Sequence, residues 1–325
     1  MFKHICIFIL LIISLPIMAQ EKTSKLRVCA VYPHLKDSYW LSINFGMTNQ
    51  AKLKAINLKV LESGGYNNHD EQWQQIEKCL TFKADAILIG AIYFESVSEQ
   101  LELINLDTPI FGLVNELSAT KLVASTGVSW SQMGFKLGEY LAKKHPKGSK
   151  PVTLAWLPGP KSGGGTPQAS QGLITALKNS SVELVTTQYG LNEKISQFAL
   201  INQTLKNYPN IDYLAGNAVM AEMAISEVAN LTTPKKPQIL SHYFSHGVYR
   251  GIRRGKILMA NSDQMVNQGK MAINQVVDFL QGRDVKYNQG PEILSLDQNN
   301  INNFDVASSL SPSDFKPLYS VGDTH

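Results

Sequence analysis

His242 and His246 stand four residues apart, the spacing at which two imidazoles on one helix face can share a metal ion. Residues 243–246 straddle the end of an apolar run, however, and no third ligand accompanies them. The run Pro158-Gly159-Pro160-Lys161-Ser162-Gly163-Gly164-Gly165 has the glycines of a phosphate loop but not the Gly-Lys-Ser/Thr ending that sets a lysine on the phosphate. It reads instead as a flexible strand-to-helix loop at the rim of a cleft. No Gly-x-Ser-x-Gly elbow and no His-Glu-x-x-His pair occurs. Arg250, Arg253, Arg254 and Lys256 form a basic cluster, read as a solvated face that complements a helix C-terminus ahead of a partner-docking patch. The chain is therefore expected to be no enzyme, and to use no metal and no cofactor.

The elements that must carry these residues alternate short apolar runs with longer amphipathic ones. Strands are expected at 26–32, 58–61, 86–91, 110–114 and 122–124, with helices at 39–55, 70–82 and 96–104. The rhythm restarts with strands at 152–157, 182–187, 211–215 and 238–241 and helices at 131–144, 168–178, 194–207 and 219–229. Runs this apolar on both faces, separated by helices, belong in parallel sheets covered on both sides. The expected fold class is α/β: two doubly wound parallel-sheet lobes joined by a multi-strand hinge. The remainder, with helices at 246–255 and 266–281 and strands at 257–260 and 291–296, is too little for a third domain and should complete the first two. The division expected is 20–128 with 244–283 for the N-terminal lobe and 129–243 with 284–325 for the C-terminal lobe.

Ligands of such sheets gather at the carboxyl ends of the strands. The loops there hold Asp37, Tyr39 and Trp40 after the first strand, Tyr66 after the second, Trp130 at the first crossing and Asp263 after the 257–260 strand, while Tyr249 lies on the helix of the return segment. They are rich in aromatic residues and poor in charge. Asp37 reads equally as a helix N-cap, and each aromatic has a packing alternative: Trp40 and Tyr39 as covers of a sheet end, Trp130 as a hinge spacer, Tyr249 as a helix face. Trp73 and Trp156 read as packing.

Lys3 and His4 followed by an apolar run over 5–17 and Ala19 make the pattern of a secretory signal peptide over 1–19, cleaved near Ala19. The run is too short to span a bilayer, so no direct membrane insertion is expected. Removing Lys3 from the 30 basic residues leaves 29 against 26 acidic ones, a balance that points to no nucleic acid or other polyanion. Cys29 and Cys79 remain in an oxidising compartment, where a pair reads as a disulfide or as two buried thiols. In a sheet of order 2-1-3-4-5 the second helix crosses back over the first strand, which predicts that the two are bonded.

The loop Tyr32-Pro33-His34-Leu35-Lys36-Asp37-Ser38-Tyr39-Trp40-Leu41-Ser42 resembles a known family, as do His246-Gly247-Val248-Tyr249-Arg250-Gly251, Ser262-Asp263-Gln264-Met265-Val266 and Ser309-Leu310-Ser311-Pro312. That family is the type I periplasmic binding proteins, and within it the receptors for trimethylamine N-oxide (TMAO) that work with a sensor histidine kinase. The resemblance implies a periplasmic TMAO receptor that signals to the periplasmic sensor domain of such a kinase and has no transport role. It also implies an aromatic cage of Trp40, Tyr66, Trp130 and Tyr249, with Tyr39, Asp37 and Asp263 as further ligand-binding residues. Aromatic faces suit the trimethylammonium cap, at about 0.5–2 kcal/mol each. The alternative is the solute receptor of an ABC transporter, for a sugar or an autoinducer-2-like polar molecule, which would call for more carboxylates, amides and an arginine.

Overall fold

Strands whose two faces are both apolar must lie inside a sheet with helices on each side, and the chain builds two such sheets. The computed structural model describes residues 25–95, 97–103, 107–118 and 121–323. The leader expected over 1–19, with Lys3 and Ala19, lies outside the described residues. The chain runs β1 (Arg27–Tyr32), α1 (Ser38–Leu53), β2 (Asn57–Glu62), α2 (His69–Thr81), β3 (Ala86–Ile89), α3 (Ser98–Leu103), β4 (Ile110–Leu113) and β5 (Leu122–Thr126). It continues with α4 (Trp130–Lys144), β6 (Val152–Gly159), α5 (Thr166–Leu177), β7 (Val182–Tyr189), α6 (Lys194–Asn207), β8 (Tyr213–Gly216), α7 (Ala218–Ala229) and β9 (Gln238–Ser241). The last elements are α8 (His246–Arg253), β10 (Met259–Ser262), α9 (Met265–Leu280), β11 (Asn288–Gln289), β12 (Leu294–Asp297) and β13 (Ser320–Val321).

The first sheet has the order β11-β5-β4-β3-β1-β2-β13 and the second β12-β10-β9-β8-β6-β7. Pairing is parallel except for the two edge strands β13 and β12. This is the two-lobed α/β fold expected, with β2-β1-β3-β4-β5 as the body of the first sheet. Alternation along β1 serves both layers. Val28, Ala30 and Tyr32 join the core that also holds α1, whereas Cys29 and Val31 face α2. On that second face Cys29 is joined to Cys79 by a disulfide, Cα to Cα 5.6 Å.

The return segments pair otherwise than the expected lobe division. Residues 244–283 are expected in the first lobe, yet β10 is hydrogen-bonded to β9 in the second sheet. Residues 284–325 are expected in the second, yet β11 pairs with β5 and β13 with β2 in the first. A strand's partner is a tertiary choice that its own apolar pattern does not encode. The consequence is a hinge with crossings between β5 and α4, between β10 and α9, and on either side of β12. The crossing at β10–α9 is held firmly, because α9 lies against α1 at glycine contact. A Cβ on Gly46 would stand 2.1 Å from the Val266 carbonyl oxygen, and one on Gly269 would stand 2.4 Å from that of Ile43.

Candidate functional site

Helix starts and strand ends from both sheets converge where the lobes meet. Asp37 caps α1, its carboxylate accepting from the Trp40 backbone N–H at 3.0 Å, and Tyr39 and Trp40 stand in the first helical turn behind it. Ser129 caps α4 in the same way and sets Trp130 at its first position. Tyr243 comes just after the end of β9, and Tyr66 comes after Gly64 and Gly65, both with positive φ.

The rings form a box. Tyr39 stands 6.0 Å from Trp40 at 75° and 5.3 Å from Tyr243 at 74°, and Trp130 stands 6.1 Å from Tyr243 at 86°. Near-perpendicular neighbours make adjoining walls. Tyr39, Trp40, Trp130 and Tyr243 are buried. With Tyr66, His242 and the loop of Gly163–Gly165, they line a cavity of about 30 Å3. Since roughly 10–15 Å3 of such space holds one water, this is room for a guest of a few heavy atoms. The loop seals the box from the second lobe: the Gly164 N–H donates to the Ile92 carbonyl of the first at 2.8 Å. Gly165 lies so close to Trp130 that a Cβ there would stand 1.8 Å from the indole Cγ. Outside lies a wider cavity of about 760 Å3 that shares Asp37, Tyr39, Tyr66 and Tyr243 with the box and carries Lys36, Glu222 and Arg250.

The hydrogen-bonding inventory separates walls from donors. The Trp40 indole N–H is spent on the Tyr66 hydroxyl at 3.1 Å, and the Asn115 amide reaches the same oxygen at 3.5 Å. With two bonds accepted, the Tyr66 O–H proton is left to donate. Burial pushes the Tyr66 phenol up to about 12 against those two hydrogen bonds, so it stays protonated. The Trp130 indole N–H is buried with no partner. One free donor, the Tyr66 O–H, and one unpartnered buried N–H, that of Trp130, therefore belong to residues that line the box, as an unsupplied acceptor would require. The Tyr39 hydroxyl is committed elsewhere: it donates to Asp263 Oδ2 at 2.5 Å. Desolvation, then the Asp263 charge, hold the Tyr39 phenol far above its ordinary range.

His242 is neutral. Its Nδ1 donates to the Gly216 carbonyl at 2.8 Å, its ring lies 5.1 Å from that of Trp156, and burial lowers it to about 4. His246 is bonded through Nε2 to the Ser311 carbonyl. Among the described residues no three His, Cys, Asp or Glu side chains form a metal-binding group.

Of the site residues expected from sequence, the structure brings Asp37, Tyr39, Trp40, Tyr66 and Trp130 to the box. Asp263 lies one layer behind Tyr39. Tyr249 is not brought there: its ring packs 6.2 Å from Phe244, with the Arg253 guanidinium 5.7 Å over it. Tyr243 takes a wall instead, and the strand-end rule applied to β9 would have found it. Trp156 is buried in the second core, its indole donating to Ser170 Oγ at 3.0 Å.

Two sheets hinged around a strand-end cavity define a bilobal ligand-binding protein. Residues 25–316 match the family described as periplasmic binding proteins and the sugar-binding domain of the LacI family, and the chain belongs to that family. It is accordingly a periplasmic ligand-binding protein and not an enzyme. Among curated proteins it is similar to the periplasmic protein TorT of Escherichia coli O157:H7, 41% identical over 294 residues that cover 90% of this chain and 84% of the relative. The TorT of strain K12 is 40% identical over the same shares. Among solved structures it resembles a TorS sensor domain–TorT complex determined in the presence of TMAO, with a TM-score of 0.84, 38% identity, and 91% of this chain and 100% of that chain covered. It also resembles a Bradyrhizobium sp. BTAi1 ABC transporter solute-binding protein holding bis-tris (TM-score 0.80, 36% identity, 91% and 90% covered). Among the described residues no helix is long and apolar enough to cross a membrane.

Proposed function

We propose that the protein is a periplasmic receptor for TMAO that reports the ligand to the sensor domain of a TorS-like histidine kinase. The observation that carries this is the pairing of an aromatic box with two uncommitted donors, Trp130 N–H and Tyr66 O–H. TMAO needs this pair of features: a compact cationic cap for the rings and a strongly accepting oxide for the donors. The ligand residues in this reading are Tyr39, Trp40, Tyr66, Trp130 and Tyr243, with Asp37 placing the first two through its cap. The lobes divide along the two sheets, and TMAO fixes them against one another. The similarity to TorT and to a TorS sensor domain–TorT complex determined in the presence of TMAO supports the kinase partner and the ligand.

The test is calorimetric titration with TMAO, trimethylamine and a panel of monosaccharides. Saturable binding of TMAO, weaker binding of trimethylamine and no heat from sugars are expected. Trimethylamine lacks the oxide and leaves both donors desolvated and unpaired. Sugar binding without TMAO binding overturns the proposal.

A further inference from the structure

Asp263 is the only Asp, Glu, Lys or Arg side chain buried among the described residues, and its exposure is zero. It occupies the crossing between β10 and α9, next to Gln264, which holds a left-handed backbone (φ 52°, ψ 59°) uncommon for a residue with a side chain. Its Oδ2 accepts from the Tyr39 hydroxyl at 2.5 Å and from the Gln268 amide at 2.7 Å. Its Oδ1, equally buried, has no partner. No lysine, arginine or histidine forms an ion pair with it among the described residues. A buried carboxylate without a counter-ion is costly, and folds keep one where it serves something else.

What faces the carboxylate is the hydroxyl of Tyr39, whose ring is a wall of the box. A phenol that donates to a carboxylate gains electron density, and that strengthens the pull of its ring face on a cation. We propose that Asp263, acting through Tyr39, is the charge-selectivity residue of the box: an internal counter-ion that makes it prefer a cationic head group to a neutral one of the same shape. Asp263 is thus a positioning residue that touches no ligand itself. The proposal rests on the box being the ligand site. Burial also holds the Asp263 carboxyl above its ordinary range, against the hydrogen bonds from Tyr39 and Gln268.

The experiment titrates wild type, Asp263→Asn and Tyr39→Phe with TMAO, with tetramethylammonium and with tert-butanol, a neutral molecule of the same branched shape. Asn keeps an acceptor for Tyr39 and removes the charge. Asp263→Asn should weaken TMAO, through its cationic cap, and tetramethylammonium about tenfold, the worth of one desolvated cation–π contact, and leave tert-butanol unchanged or tighter. Its melting temperature without ligand should be equal or higher, because a buried charge is gone; a purely structural role would lower it. Tyr39→Phe keeps ring and charge but breaks the link, so it should reduce the cation-to-neutral affinity ratio by a smaller factor. Equal weakening of all three compounds by Asp263→Asn, or no weakening of TMAO and tetramethylammonium, overturns the proposal. Should that variant not fold, an unchanged ratio in Tyr39→Phe overturns it alone. Wild type that binds tetramethylammonium but not TMAO refutes the ligand assignment while leaving the Asp263 comparison intact. If it binds neither TMAO nor tetramethylammonium, both fall.

Discussion

Replacing Trp130 with phenylalanine keeps an aromatic wall and removes a single N–H. In the structure that N–H is buried and has no hydrogen-bond partner, an arrangement that costs about 1–3 kcal/mol. Phenylalanine relieves that cost and loses some buried ring area, two changes that offset one another to within about 1–2 kcal/mol. The unliganded melting temperature should therefore move little. With TMAO the balance is different, because the oxide carries much of the ligand's negative charge. A hydrogen bond to such a group contributes about 1.5–3 kcal/mol. Trp130→Phe should weaken TMAO by about ten- to a hundredfold, while trimethylamine, which has no oxide, should lose no more than the small difference between the two rings. The assay is titration calorimetry of both ligands on both proteins, reported as the ratio of affinities. If the ratio is unchanged, Trp130 acts only as a wall and the donor assignment is wrong.

Three further outcomes are expected. Trp156→Ala should lower unfolding free energy in urea by about 3–5 kcal/mol through the emptied second core, with less effect on TMAO affinity than changes at Trp130; the reverse ranking would move Trp156 into the site. Removing the Cys29–Cys79 bond, which spans 50 residues, by Cys29→Ala with Cys79→Ala should cost about 4 kcal/mol on the loop-entropy relation, and an unchanged urea midpoint would contradict that. His242 is held neutral in the fold at about 4 against an ordinary 6.5. The unfolded chain therefore binds the extra proton first, and this group's contribution of about 3 kcal/mol is complete above pH 6.5 and lost as pH falls toward 4. His242→Asn should flatten the stability profile over that window relative to wild type, and parallel profiles would refute it.

The body of both sheets was legible because β1, β3, β4, β6 and β8 are runs whose two faces are both apolar, a pattern with few other uses. The hinge was not. Strands β11 and β13 are two residues each, Asn288–Gln289 and Ser320–Val321, too short to carry a period, and they exist because an edge of the first sheet was open to them. The site divides likewise. Trp40, Tyr66 and Trp130 are found by inspecting the residues just beyond each strand end. Tyr249 fails because its place on α8 turns it onto Phe244, and a helix face cannot be read from a loop rule. Asp263 sits near the box as its position suggests, but only the fold shows that a tyrosine ring lies between the carboxylate and the cavity.

A crystal structure of the protein grown with TMAO tests the central claim most directly. The expected density lies inside the box, its methyl groups against the rings of Tyr39, Trp40 and Tyr243 and its oxygen within hydrogen-bonding distance of Trp130 Nε1 and the Tyr66 hydroxyl. TMAO bound instead in the outer cavity near Glu222 and Arg250, or an empty box at saturating ligand, would contradict the account.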